Sequence, residues 1–112
     1  MRLSDTLDVR EWLVQEPNLG VNAIMPIVAS EGVTYPYLAY ERQSVEMSTW
    51  KRSADIVSAT FAIAVWSDSY DESILVAERV IDTLAAHGVV IEGVTEGYQN
   101  GAFYQSITVK LD

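Results

Sequence analysis

The chain contains no cysteine among its 112 residues, which excludes disulfides, thiolate metal sites and thiol catalysis. It has one histidine, His87, so a multi-histidine metal site cannot be built. No run of eighteen apolar residues occurs, and the opening MRLSDTLDVREW places acids where a signal peptide needs an apolar core. A soluble protein made in the cytoplasm is expected. The six glycines are isolated and form no phosphate-cradling loop. Basic residues are scarce too: seven against sixteen acidic ones give a net charge of −9. A duplex-binding surface works by neutralising phosphates, and this chain would mostly repel them. A basic or neutral protein surface is the easier partner.

What the chain does have is apolar residues, 49% of the total, enough for a real core. At this length one domain is expected, burying roughly two thirds of its unfolded surface. The clearest signal is the run from Phe61 to Gly88. Phe61, Ile63 and Val65 alternate with Ala62, Ala64 and Trp66, the period of a strand with one bulky face. Ser69 then caps a helix, and Glu72 three residues on completes a capping box. Ile74, Ala77, Ile81 and Leu84 mark its inward face, and Gly88 supplies a left-handed stop.

The other elements follow from the same signals. A short helix opens at Ser4 or Asp5 and runs through Gln15, with Leu7, Leu13 and Val14 inward and Pro17 closing it. Val21 to Ala29 reads as a first strand, kept to an edge or a bulge by Pro26. After the turn at Glu31-Gly32, Tyr35-Pro36 imposes extended backbone on a second strand, Pro36 to Glu46. Met47 to Ala54 is a polar segment, and the third strand runs from Asp55 to Trp66. The helix from Tyr70 to His87 leads to a closing hairpin, Val89 to Tyr98 and Ala102 to Leu111, turned by Gln99-Asn100-Gly101. The predicted fold is α+β, in the order α-β-β-β-α-β-β. It has an antiparallel or mixed sheet of four to five strands, with two helices on its apolar face. In the last strand Phe103, Gln105, Ile107, Val109 and Leu111 face one way and Ala102, Tyr104, Ser106, Thr108 and Lys110 the other. That second face either meets solvent or a neighbouring subunit.

Candidate chemistry is thin. His87 in the last helical turn complements the helix dipole. Asp68, Asp71 and Glu72 suggest calcium, but an EF-hand starting at Asp68 needs glycine at Ser73 and glutamate at Arg79. Helix capping explains those acids better. Glu92 and Glu96 share a predicted strand face and form a conceivable acid–base pair, with no pocket to serve. No catalytic residue, metal or cofactor is expected. The aromatic residues point to contacts instead. Tyr35, Tyr37 and Tyr40 cluster on the second strand, Trp12 and Trp66 read as core, and Trp50 stands in a polar segment beside Lys51 and Arg52. With Arg42, the last two are the only basic residues close together. The interface candidates are therefore Trp50, Lys51, Arg52, Tyr37, Tyr40 and Arg42, with the Met47 to Ala54 segment ordering on contact.

Pro36, Tyr37 and Tyr40 form a Pro-Tyr-x-x-Tyr strand. Trp66 ends the next strand, followed by Tyr70-Asp71-Glu72 in the outgoing turn and by Ala77-Glu78 in the helix. From about Ile24 to Leu111 this pattern resembles the tail-terminator and tail-completion proteins of long-tailed bacteriophages. The resemblance implies a single structural domain over 1–112 and no enzymatic activity. It also implies assembly as a homo-oligomeric ring, commonly hexameric, in the virion tail end or neck. Its partners there would be the tail tube protein and the head–tail connector, with DNA passing the lumen without specific binding and no membrane involved. Six copies at −9 would carry about −54, suited to a lumen that does not grip phosphate. The short N-terminal helix and the Trp50 segment depart from the commonest family pattern, which leaves tail tube and neck as alternative positions. Two rivals remain at this point: a dimeric ligand-binding or regulatory α+β domain, and an enzyme using Glu92 or Glu96 as base.

Overall fold

Four long strands set the architecture of the computed structural model, which describes residues 1–27, 32–48 and 55–112. In chain order the elements are a 3-10 turn Leu3–Leu7, α1 Asp8–Gln15, β1 Ile24–Pro26, β2 Tyr37–Met47, β3 Ile56–Ser67, α2 Tyr70–Ala86, β4 Val90–Gln99 and β5 Ala102–Leu111. The order α-β-β-β-α-β-β is the one expected. The sheet runs β1-β2-β3-β5-β4, with the four long strands antiparallel and β1 parallel to β2, so it is mixed. Helix α2 carries the chain from β3 past β5 to the far edge, after which the β4–β5 hairpin returns inward. Asn100 and Gly101 both have positive φ, as a two-residue hairpin turn requires.

One face of the sheet carries the core. Leu38, Ile63, Val65, Ile107 and Val109 lie under α1 and α2, joined by Val9 and Leu13 from the first helix and Val76, Val80 and Leu84 from the second. The predicted face of α2 is rotated slightly. Its buried residues are Ser73, Val76, Ala77, Val80, Thr83 and Leu84, while Ile81 is only partly buried against the cluster. Small Ser73 and Thr83 fit because each hydroxyl bonds a carbonyl of its own helix, at Tyr70 and Arg79.

The ends of α2 are specified by side chains. The Glu72 amide donates to Ser69 Oγ at 3.3 Å, but Glu72 does not close the predicted box directly. Ser67 is inserted: its Oγ accepts from the Ser69 amide at 3.0 Å and donates to Glu72 at 2.6 Å. At the other end Gly88, with φ +81°, and Val89 return amide bonds to Ala85 and Leu84, a Schellman closure that buries Val89.

The N-terminus differs from expectation. The first turn is 3-10, Asp5 accepts the Arg2 amide at 2.7 Å, and the α-helix starts only at Asp8. The tighter winding changes which residues point inward. Leu13 is buried as predicted, but Leu7 and Val14 are exposed and Val9 takes their place. The first strand is shorter than Val21 to Ala29, three residues ending at Pro26. Its final two predicted residues, Val28 and Ala29, lie outside the described ones.

Candidate functional site

The face of the sheet opposite the helices carries a transverse row of aromatic side chains. Register places Tyr37 beside Trp66, Trp66 beside Tyr104, and Tyr104 beside Gly97. Tyr35 extends the row. Centroid separations are 5.6 Å for Tyr35–Tyr37, 6.5 Å for Tyr37–Trp66 and 4.9 Å for Trp66–Tyr104. The Tyr104 ring covers Gly97 so closely that a Cβ there would stand 2.5 Å from the hydroxyl oxygen. A glycine in a strand here is a seat for the neighbouring ring. Behind the row the same face carries the small residues Ala39, Ala62, Ala64, Thr95, Ser106 and Thr108, with the charged Glu41 and Lys110 toward its far end.

Trp66 therefore departs from its predicted place in the core. Strand alternation puts it on the open face, because Val65 and Ser67 take the covered one. Trp12 does pack against the core, with its ring stacked on His87 at 4.5 Å and 9°. The helix-terminal His87 thus ties α1 to the end of α2.

The candidate interface residues are divided by the same alternation. Tyr37 belongs to the open face, where desolvation, and secondarily Tyr35, push its phenol above the usual value. Tyr40 and Arg42 point to the helix side. Tyr40 packs against the core cluster, and its hydroxyl, with the larger effect of Glu11, holds Arg10 above the usual arginine value. Arg42 donates to Thr6 Oγ1 at 3.0 Å and has no carboxylate partner among the described residues. Trp50, Lys51 and Arg52 lie outside the described residues.

A second aromatic group occupies the helix side of the same end of the sheet. Phe103 packs with Tyr70 at 5.6 Å and with Tyr98 at 4.8 Å. The Tyr70 hydroxyl donates to Glu96, 2.9 Å from the nearer oxygen, and this bond raises the phenol's pKa. Seven of the eleven aromatic residues thus gather at one end of the sheet. Single-residue patterning missed that gathering. The signal was register: Tyr37, Trp66, Tyr104 and Tyr98 all sit within two residues of a strand end meeting at that edge.

The remaining candidates form no catalytic arrangement. Glu92 and Glu96 do not share a regular strand face, because a bulge between Ile91 and Gly93 leaves Glu92 without a register partner. Among the described residues no group of three or more His, Asp or Glu side chains is placed to hold a metal ion. An open cleft of about 650 Å³ is lined by Arg2, Leu3, Arg42, Val45, Met47, Asp55 and Ile56. No helix of the described residues is long and apolar enough to cross a membrane.

These observations define a class by shape: an α+β domain with one face of a mixed sheet filled by two helices and the other face uncovered by any described element. No family model and no curated protein matches the sequence. Among solved structures the chain is similar to the gp17 protein of bacteriophage SPP1, with a TM-score of 0.63. The match covers 97% of this chain and 90% of that one at 17% identity, so what the two share is the fold.

Proposed function

We propose that this chain is a structural subunit of the tail or neck of a long-tailed bacteriophage or phage-like particle. It assembles as a ring, most simply a hexamer, on the end of the tail tube, stops tube polymerisation and presents a surface to the head connector. The observation that carries this reading is the end-to-end likeness of fold to a bacteriophage protein, over 97% of this chain. It agrees with the independent sequence pattern of Pro36, Tyr37, Tyr40, Trp66, Tyr70, Asp71 and Glu72. The open, half-buried aromatic face suits a subunit completed by neighbours rather than a free-standing binder. An acidic chain suits a ring through which DNA passes without being held.

Removing the gene from the producing particle tests this. Particles lacking the chain are expected to carry overlong or unfinished tails, or tails not joined to heads. Trp50→Ala is expected to reproduce the tail defect while leaving the subunit's melting temperature nearly unchanged. Normal particles without the chain would contradict the proposal.

A further inference from the structure

The basic residues of this acidic chain are used unequally. Arg10 pairs with Glu11, Lys110 pairs with Asp112, and Arg79 lies over Gly20. Arg2 and Arg42 have no carboxylate within ion-pair distance among the described residues, and both line the same groove. That groove joins the cleft of about 650 Å³ to a second of about 460 Å³, since Arg2, Leu3 and Arg42 line both. Leu3, Leu7 and Met47, all exposed, give it apolar walls. From its charge, its lining and the surface that complements them, we infer that the groove receives the outer stripe of α2 from a second copy, Leu75 with Asp71, Glu78 and Asp82. The inference rests on the reading of the chain as a ring-forming subunit and adds a contact that joins neighbouring copies head to tail.

The groove is held in shape before anything enters it. Met1 and Ile56 exchange two backbone bonds: the Ile56 amide donates to the Met1 carbonyl at 2.9 Å, and the Met1 amino group donates to the Ile56 carbonyl at 3.1 Å. Arg42 donates to Thr6 Oγ1 at 3.0 Å, which sets its guanidinium against the opening 3-10 turn. Nearby acids are engaged elsewhere, Asp5 by the Arg2 amide and Glu46 by the Ser58 hydroxyl. Asp55 adds one carboxylate to the wall, and the two arginines outnumber it. A preformed groove of this kind favours a segment that brings an aliphatic side chain flanked by carboxylates.

The chain itself carries such a segment. Helix α2 buries Ser73, Val76, Ala77, Val80, Thr83 and Leu84, so Asp71, Leu75, Glu78 and Asp82 share the opposite, exposed face. Apart from Tyr70 at its first position, Leu75 is the only large apolar side chain that α2 exposes. Asp71 and Glu78 flank it one turn away on either side, at about 5–6 Å between Cβ atoms. None of the three acids has an ion-pair partner among the described residues. Val94, also flanked by acids, fits less well, because Glu92 is bulged out and Glu96 already accepts from Tyr70. Groove and stripe are different surfaces, so each copy offers one of each and the docking repeats. Heterologous contacts of this kind generate rings when the rotation closes.

Charge reversal on the full chain tests the contact. A variant with Arg2→Glu and Arg42→Glu makes groove and stripe both acidic, and one with Glu78→Lys and Asp82→Lys makes both basic. Each is expected to self-associate about tenfold more weakly than the unsubstituted chain in analytical ultracentrifugation, or weaker still, with a nearly unchanged melting temperature. Mixed, the two should associate again into species beyond dimer, because every groove then meets a stripe of opposite charge. Leu75→Glu leaves the groove untouched and should weaken association as well. The absence of native cysteine also allows Met47→Cys with Leu75→Cys, both at exposed positions. Mild oxidation at high protein concentration should link that variant into dimer, trimer and larger species, and either single variant should give little product. A mixture that stays unassociated, or a ladder that is absent or stops at dimer, overturns the inference. So does association lost on reversing the arginines but unmoved by Leu75→Glu and by reversing Glu78 and Asp82, which would put a different acidic partner in the groove. A particle containing rings of the cysteine double variant with no disulfide between positions 47 and 75 overturns the contact and leaves the proposed function standing. A full ladder from a chain that is absent from any tail would do the reverse.

Discussion

The two faces of the sheet are built from the same strands in the same register, yet they differ in chemistry. The covered face is aliphatic: Leu38, Ile63, Val65, Ile107 and Val109 are all fully buried. The open face combines Tyr37, Trp66 and Tyr104 at one end with alanine, serine and threonine, and with Glu41 and Lys110, along the rest. Aliphatic side chains reach close packing only when a second layer interdigitates with them, which α1 and α2 provide. The aromatic row has no such layer among the described residues, and each ring stands against the next. One face therefore holds the fold together, and the other is a rigid surface at little cost in side-chain freedom.

Substitutions on the two faces should separate these roles. The largest effect is expected on the covered face, where Leu84→Ala removes a fully buried side chain from the centre of the core. It should cost about 2–5 kcal/mol in chemical denaturation. A loss below about 0.5 kcal/mol would mean that α2 does not seat as described. An intermediate effect is expected on the open face. Gly97→Val has no room under Tyr104 and must displace that ring, costing about 1–3 kcal/mol by analogy with overpacking. Tyr104→Ala should make the same valine tolerable, so the double variant should be more stable than the sum of the two singles predicts. Strict additivity would show that the ring is not seated on Gly97.

The smallest effect concerns Tyr70. Its bond to Glu96 raises the phenol's pKa in the folded chain, so the stabilisation is complete below the unfolded value and is lost as pH rises through the folded one. Site-specific NMR titration should find Tyr70 ionising at higher pH than a free tyrosine, and Glu96→Gln should bring it down. An unchanged value in the variant would remove the Tyr70–Glu96 tie from the account.

Much of this architecture could be read from residue order, since the long elements announce themselves. Alternation from Phe61 to Trp66, the Ser69 cap, the Gly88 stop and the Asn100-Gly101 turn are local signals, and the structure keeps each of them. What local signals missed were features decided by distant partners. The 3-10 opening of the N-terminus rotated Val9 inward, although Leu7 and Val14 carried the better-looking pattern. The parallel pairing of β1 with β2 depends on where the chain returns after Pro26, which no periodicity encodes. Ser67 entered the cap of α2 from the preceding strand, a route that no spacing rule describes.

The candidate surface was half legible. Tyrosine and tryptophan content indicated contacts, and Tyr37 proved to stand on the open face. Tyr40 and Arg42, three and five residues further on, face the helices because Tyr40 takes the opposite phase of the strand and Arg42 follows it. Trp66, expected in the core, shares the parity of Ala62 and Ala64, which places it on the other face.

The central claim is that this chain is a ring-forming part of a phage tail or neck, and cryo-electron microscopy of the producing particle tests it most directly. The account predicts a closed ring of this chain at the head-proximal end of the tail. An intact particle whose tail end and neck contain no copy of the chain would contradict it.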